Sequence, residues 1–285
     1  MKIFVTGASG FIGSAVVREL VSAGHEAVGL ARNDANEKII RDAGGSPMRG
    51  SLEDLESLAR GAKESDGVVH TAFVHDFPNY AASVQTDIRA IEALGNALAG
   101  SGKPLVVSAG VQPLRGGVST EDLAFDPNFP RKSEAAAWPF IEKNVRVVLV
   151  RLPPTVHGTG DRAFVPELIR IAKEKGVSGY VGDGSNRWPA VHRFDAARAF
   201  VRAVERAPSG TRVHAMAEEG VPTRDIATVI GKKLGVRVES RPADHFGWLG
   251  TFFALDAPSS SAKTRALLEW EPREAALLVD LEENY

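Results

Sequence analysis

The chain has 285 residues, of which 44% are hydrophobic and 25% charged, and it contains no cysteine. That length and composition suit one large α/β domain with a smaller lobe, and they exclude disulfide staples and thiolate metal sites. The formal net charge is -2, with Lys and Arg scattered rather than clustered, so neither nucleic acid nor an anionic membrane is an expected partner.

Strand-type and helix-type segments alternate through the first half of the chain. An apolar strand, KIFV, is followed by TGASGFIG and by a helix over 11–22. Gly7, Gly10 and Gly13 interrupt the apolar run and Arg18 and Glu19 follow at once, which argues against a secretory leader. No stretch has the apolar length of a bilayer span, and the lack of cysteine suits a reducing compartment, so the expectation is a cytoplasmic protein. Near-continuous apolar runs at 26–30, 67–70, 104–108 and 146–150 read as strands covered on both faces. Segments 52–62 and 81–98 between them carry apolar residues at helical spacing. This alternation predicts a Rossmann-type doubly wound parallel sheet.

After Val150 the pattern loosens. RLPPTVHGTGD reads as a loop, followed by a helix over 164–175, a short strand near 179–181 and a helix over 194–206. Strands at 212–215 and 236–241 flank a helix over 223–234, and SSSAK at 259–263 reads as a helix cap. The pattern divides the chain into a main α/β domain over 1–155 and a smaller C-terminal lobe over 156–285, interleaved with the last strands of the main sheet.

The three glycines stand between a strand and a helix, the context a phosphate-binding turn requires. Gly7 permits the tight turn, Gly10 lets a pyrophosphate approach the backbone, and Gly13 allows helix to pack closely on sheet. N–H groups at the helix start would then face the anion. The spacing is G-x-x-G-x-x-G, so the dinucleotide fingerprint G-x-G-x-x-G is met in mechanism and not in letter. At the end of the second strand, LARND places Arg32 where an adenosine ribose would lie. Arginine there accommodates the 2′-phosphate of NADP, whereas a carboxylate would take the ribose hydroxyls of NAD. Arg32, assisted by Asn33, favours NADP(H), and Asp34 just beyond keeps NAD(H) open.

Five stretches in register carry a family resemblance: TGASGFIG, DGVVHTA at 66–72, LPPTVHG at 152–158, VHRFDAARAFVRAVE at 191–205 and SSSAKTRALLEWEP at 259–272. Together they resemble the extended short-chain dehydrogenase/reductase family, which includes the NAD-dependent epimerases and dehydratases. The resemblance implies an NAD(P)-holding Rossmann domain with a small lobe closing over a small-molecule substrate. It implies that Gly7, Gly10, Phe11, Ile12 and Gly13 hold the pyrophosphate and that Ser51 and Leu52 flank the adenine. By the same likeness Thr71, Ala72 and Phe73 line the cofactor, and the stretch from Pro153 to Val156 runs beside the nicotinamide. Ser108 falls where the family keeps its catalytic serine or threonine, and relatives commonly form homodimers through helices placed here at 81–98 and 133–141. Pro139 should shorten or kink the second of these.

The family's proton donor, the tyrosine of Y-x-x-x-K, is missing. Aligning SEAAA on the family pattern puts Pro130 at the tyrosine and Glu134 at the lysine. None of the chain's tyrosines, Tyr80, Tyr180 and Tyr285, has a lysine four residues on. In this the chain resembles the family's atypical members. His157, on the loop between cofactor and lobe, is a candidate general acid, because imidazole titrates near neutrality; it equally suits packing or bonding within that loop. His75 beside Asp76 is either an oriented imidazole or a surface pair, His70 reads as a core histidine, and Tyr180 and Trp188 suit a pocket wall or the lobe's core. Ser108, at the carboxyl end of a central strand, can donate to a substrate oxyanion. The expected function is hydride transfer between NADP(H) and a small carbonyl or alcohol, with a noncanonical proton donor. A sugar-nucleotide epimerase or dehydratase and a nonenzymatic dinucleotide sensor are the alternatives.

Overall fold

A computed structural model describes residues 1–76 and 79–285. Seven parallel strands form the central sheet: β1 (Lys2–Thr6), β2 (Glu26–Ala31), β3 (Ser46–Arg49), β4 (Gly67–His70), β5 (Pro104–Gly110), β6 (Arg146–Leu152) and, from the later half of the chain, Thr211–His214. Between the first six run α1 (Phe11–Ser22), α2 (Asp34–Asp42), α3 (Leu55–Lys63), α4 (Tyr80–Leu98) and α5 (Ser133–Ala137). Strand β7 (Thr155–His157) follows, then α6 (Phe164–Lys175), β8 (Val177–Val181), β9 (Arg187–His192), α7 (Arg193–Arg206) and β10, which is the late strand Thr211–His214. The chain ends with β11 (Glu218–Pro222), α8 (Thr223–Leu234), β12 (Arg237–Arg241), α9 (Gly250–Phe253), α10 (Ala262–Leu268) and α11 (Leu277–Asn284). Among the described residues no helix is long and apolar enough to cross a membrane.

Sheet order is β10-β6-β5-β4-β1-β2-β3. From β1 the chain runs outward through β2 and β3, then returns to β4 on the other side of β1. The order therefore reverses between β1 and β4, and the carboxyl ends of those strands open the crevice where such sheets bind ligands. Strand residues alternate between two cores. Ile3, Val5, Val69, Val106, Val148 and Val150 meet α1, α2 and α7 on one face, while Phe4, Val68, Leu105, Val107, Val147 and Leu149 meet α3, α4 and α5 on the other. Burial on both faces is why these strands read as continuous apolar runs.

A third core, built on Trp188, Ile226, Ile230, Phe246, Leu249, Phe253, Leu277 and Leu281, holds the later elements together. There β9 pairs in parallel with β7 and antiparallel with β11, and β8 pairs in parallel with β12. Trp188 is fully buried against Phe253 and Phe252, so it belongs to this core, whereas Tyr180 is partly exposed beneath the Arg224 guanidinium. Pro139 has the expected effect: α5 stops at Ala137 and Trp138–Ile141 continues as a 3-10 turn. The serines ahead of α10 divide their work. Ser260 Oγ accepts the Ala262 N–H at 3.3 Å, and Ser261 Oγ donates instead to the Met216 carbonyl at 2.7 Å.

Candidate active site

The glycine turn closes the amino end of α1 over the switch point. Gly7 has φ +70°, a left-handed conformation that suits glycine, and Gly10 N–H donates to its carbonyl at 2.8 Å. A Cβ on Gly7 would lie 2.7 Å from Ala72 N, and one on Gly13 only 2.0 Å from Gly7 O. Thr71 lies beneath both, its hydroxyl donating to Thr6 O at 2.8 Å. The structure thus brings Gly7, Gly10, Gly13, Thr71 and Ala72 together as a tight turn in which Gly7 and Gly13 leave no room for a Cβ. That is the shape a pyrophosphate needs at a helix start. Phe11 and Ile12 are partly buried against the first core, and the Arg193 guanidinium stands 5.0 Å from the Phe11 ring.

Beyond the turn, Arg32 is exposed directly after β2. Asn33 caps α2, its side chain accepting the Asn36 N–H at 2.9 Å. Arg49, which pairs with Ala31 across the β2–β3 register, binds Asp34 and reaches Glu37 at 3.0 Å. Ser51 Oγ accepts from Glu53 N and Asp54 N, which turns the chain into α3, and Leu52 packs partly on the second core.

Ser108 lies near the carboxyl end of β5, almost fully buried, and it is one end of a continuous polar chain. Thr6 Oγ1 lies 2.8 Å from His70 Nδ1, and His70 Nε2 lies 3.0 Å from Asp87 Oδ1. Ser133 Oγ donates to Asp87 Oδ2 at 2.5 Å and accepts from Arg131 Nε at 2.8 Å. Arg131 Nη2 then reaches Ser108 Oγ at 3.4 Å and Ser108 O at 3.5 Å. The chain ties β1, β4, α4, α5 and β5 to one another at the carboxyl ends of the strands. Burial raises the Asp87 carboxyl, but the His70 hydrogen bond and charge, aided by Arg131 and Ser133, hold it below the usual carboxylate range.

Arg131 also lies over Phe73, its guanidinium carbon 4.0 Å from the ring centroid, and Tyr80 meets the same ring at 5.8 Å. Burial pushes the Tyr80 phenol upward, with Arg131 opposing, so it stays protonated at neutral pH. Burial and the Arg131 charge push His75 down, and Asp76 accepts from Asn79.

Sequence reasoning singled out neither Asp87, Arg131 nor Tyr80. Only Asp87 left a signal, as an acid on the apolar stripe that Val84, Ile91 and Leu94 form along α4.

Two positions of the missing Y-x-x-x-K serve other ends. Glu134 is buried and bidentate with buried Arg151, at 2.9 and 3.1 Å, and accepts from Arg212 Nε at 2.5 Å. Pro130 precedes Arg131 in the loop that delivers the guanidinium.

His157 is fully buried in β7. Its Nδ1 lies 2.7 Å from Asp280 Oδ2 on α11, its ring meets His192 at 5.4 Å, and among the described residues its Nε2 has no partner. Tyr285 OH donates to Asp161 Oδ2 and accepts from Gly158 N beside it. No hydrogen bond among the described residues joins His157 to the Ser108 chain. Pro153 and Val156 are buried on either side of Thr155, whose hydroxyl donates to Pro189 O.

A doubly wound parallel sheet with a glycine cradle at its switch point and a hydroxyl near the carboxyl end of β5 defines a Rossmann-type α/β protein. The chain belongs to the NAD dependent epimerase/dehydratase family, whose profile matches residues 3–216. An uncharacterised protein of Schizosaccharomyces pombe is 48% identical over 289 residues, which cover 99% of this chain and 98% of that one. The Dictyostelium discoideum sterol-4-alpha-carboxylate 3-dehydrogenase, decarboxylating, is 27% identical over 257 residues, 82% of this chain and 77% of its own. A solved structure of MoeE5 in complex with UDP-glucose and NAD is similar in fold, with a TM-score of 0.76 at 22% identity, covering 100% of this chain and 97% of that one.

Proposed function

We propose that this protein is a nicotinamide-dependent oxidoreductase that interconverts a carbonyl and an alcohol on a small molecule. The observation that carries the reading is the convergence of Ser108, Arg131, Phe73 and Tyr80 at the crevice beside the glycine cradle. A site that only sensed a dinucleotide would have no use for these groups. When bound, the cofactor supplies the hydride that turns a carbonyl carbon into an alcohol carbon, or accepts it in reverse. Ser108 Oγ accepts from Arg131 and is left to donate its own proton to the substrate oxygen. Tyr80 gives the proton that this oxygen takes up and recovers one from water; even with its pKa raised by burial, a phenol is more acidic than an alcohol and protonates an alkoxide downhill. In this reading His157 serves the fold, holding α11 through Asp280.

A panel of carbonyl compounds followed by cofactor absorbance tests the assignment. Ser108→Ala is expected to lower kcat about 100-fold, the usual cost of one oxyanion donor. Tyr80→Phe should lower it by about 100-fold or more, and His157→Ala, once folded, should leave it near the starting value. Wild-type rates in both Ser108→Ala and Tyr80→Phe would remove these residues from the chemistry. Tight cofactor binding without turnover of any carbonyl would favour the sensor.

The preference within the cofactor class is NADP(H). Arg32 is exposed directly after β2, where an arginine would take the 2′-phosphate, and Asp34, the carboxylate that would otherwise take the ribose hydroxyls, is held by Arg49. Arg32→Ala is expected to weaken NADP binding roughly tenfold to hundredfold, the loss of one charge-assisted contact, and to leave NAD binding little changed. Calorimetric titration with both cofactors decides it, and equal affinities in the wild type would overturn the preference.

A further inference from the structure

Arg131 is held through two of its nitrogens and one face of its guanidinium. Nε donates to Ser133, Nη2 to Ser108, and Phe73 covers one face of the guanidinium. Among the described residues Nη1 makes no hydrogen bond, and no carboxylate contacts the guanidinium. The nearby acid, Asp87, spends its two oxygens on His70 and Ser133. The other interior arginines of this region are treated differently, since Arg151 and Arg212 both close on Glu134. Withdrawing a cation from water without an anion in contact is costly. A guanidinium so placed, planar and fixed by stacking, presents its Nη1/Nη2 edge as a fork for a carboxylate.

We propose that Arg131 binds the carboxylate of the substrate, so that the site takes oxo acids, and the matching hydroxy acids, whose carboxylate lies one or two carbons from the reacting carbonyl. Proximity sets that spacing. Ser108 Oγ, which receives the carbonyl oxygen, is 3.4 Å from Arg131 Nη2, so the two donors reach neighbouring oxygens of one small molecule and not the ends of a long one. The inference rests on the oxidoreductase reading for its reaction but not for its binding step.

The test is therefore made first without turnover. Oxamate and oxamide differ in charge and little else, and each is titrated calorimetrically into the protein saturated with oxidised cofactor. Oxamate should bind at least about tenfold more tightly than oxamide, the worth of a charge-assisted pair. Arg131→Gln should erase the difference, and Arg131→Lys should restore part of it. Equal binding of the two probes to wild-type protein overturns the proposal whether or not any variant folds.

In turnover, 2-oxobutanoate and acetoacetate should exceed their methyl esters in kcat/KM by about tenfold or more, with Arg131→Gln acting mainly on the acids' KM. A loss of kcat that is equal for acids and esters would instead place Arg131 on the reacting oxygen and overturn the carboxylate assignment. Charge-selective binding with no reduction of any oxo acid would leave the anion site standing and sink the oxidoreductase reading alone.

Discussion

Replacing Arg151 with Met is expected to destabilise the protein by about 3 kcal/mol, the lower end of the cost of breaking a buried pair, because Arg212 still holds one oxygen of Glu134. Glu134 lies only 3% exposed, bidentate with Arg151, and Arg212 engages the same Oε1 while stacking on Trp138 at 4.1 Å. Through this cluster α5 is fastened to β6 and to β10, the strand that returns to the sheet edge from late in the chain. Glu134→Lys, the change that would restore the family's lysine in the aligned register, should be worse than Glu134→Gln, because it sets an ammonium against two guanidiniums. Urea denaturation of the variants checks both statements. A midpoint unchanged in Arg151→Met would show that the cluster contributes nothing net.

Gly13→Ala is expected to abolish measurable cofactor binding and to lower stability by about 1–3 kcal/mol. Its Cβ would lie 2.0 Å from Gly7 O and 2.6 Å from Gly7 C, backbone atoms that move only if the turn opens. Gly10→Ala separates the two effects, since its Cβ would stand 3.1 Å from Gly7 O and closer positions are absent. That variant should fold nearly normally and still bind cofactor poorly, because the methyl occupies the path of approach to the backbone. Calorimetric titration and cofactor-free thermal melts of both variants provide the check, and full cofactor affinity in Gly13→Ala would contradict the cradle.

The sequence carried the sheet and the turn because both are local. Strands buried on two faces are apolar throughout, and the glycines stand where a strand meets a helix. Helices α6 and α8 end on Gly176 and Gly235, both left-handed, so their limits were readable as well. The segment SPMR was not read as a strand: β3 lies at the sheet edge, carries a proline and buries none of its residues fully. Helix α2, with Ile40 alone buried in DANEKIIRD, gave little periodicity to read.

The candidate site was legible only where a motif spanned it. Ser108 followed from its strand end, but Arg131 lies in a loop and Tyr80 at the start of α4, and neither obeys the linear spacing in which a tyrosine and a cation were sought. Tertiary packing on Phe73 brings them together. The surroundings of His157 were equally hidden, because its partner, Asp280, lies 123 residues away on the last helix.

Isotope transfer tests the central claim most directly. The protein is incubated with reduced nicotinamide cofactor deuterated at the transferring C4 position and a panel of oxo acids and neutral carbonyls, and the products are read by mass spectrometry. Hydride transfer at this site predicts one deuterium on the carbinol carbon of the product, and the label should disappear from the product in Ser108→Ala and Tyr80→Phe at matched times. Products that form without the label, or bound cofactor that keeps its deuterium against every carbonyl offered, would contradict it.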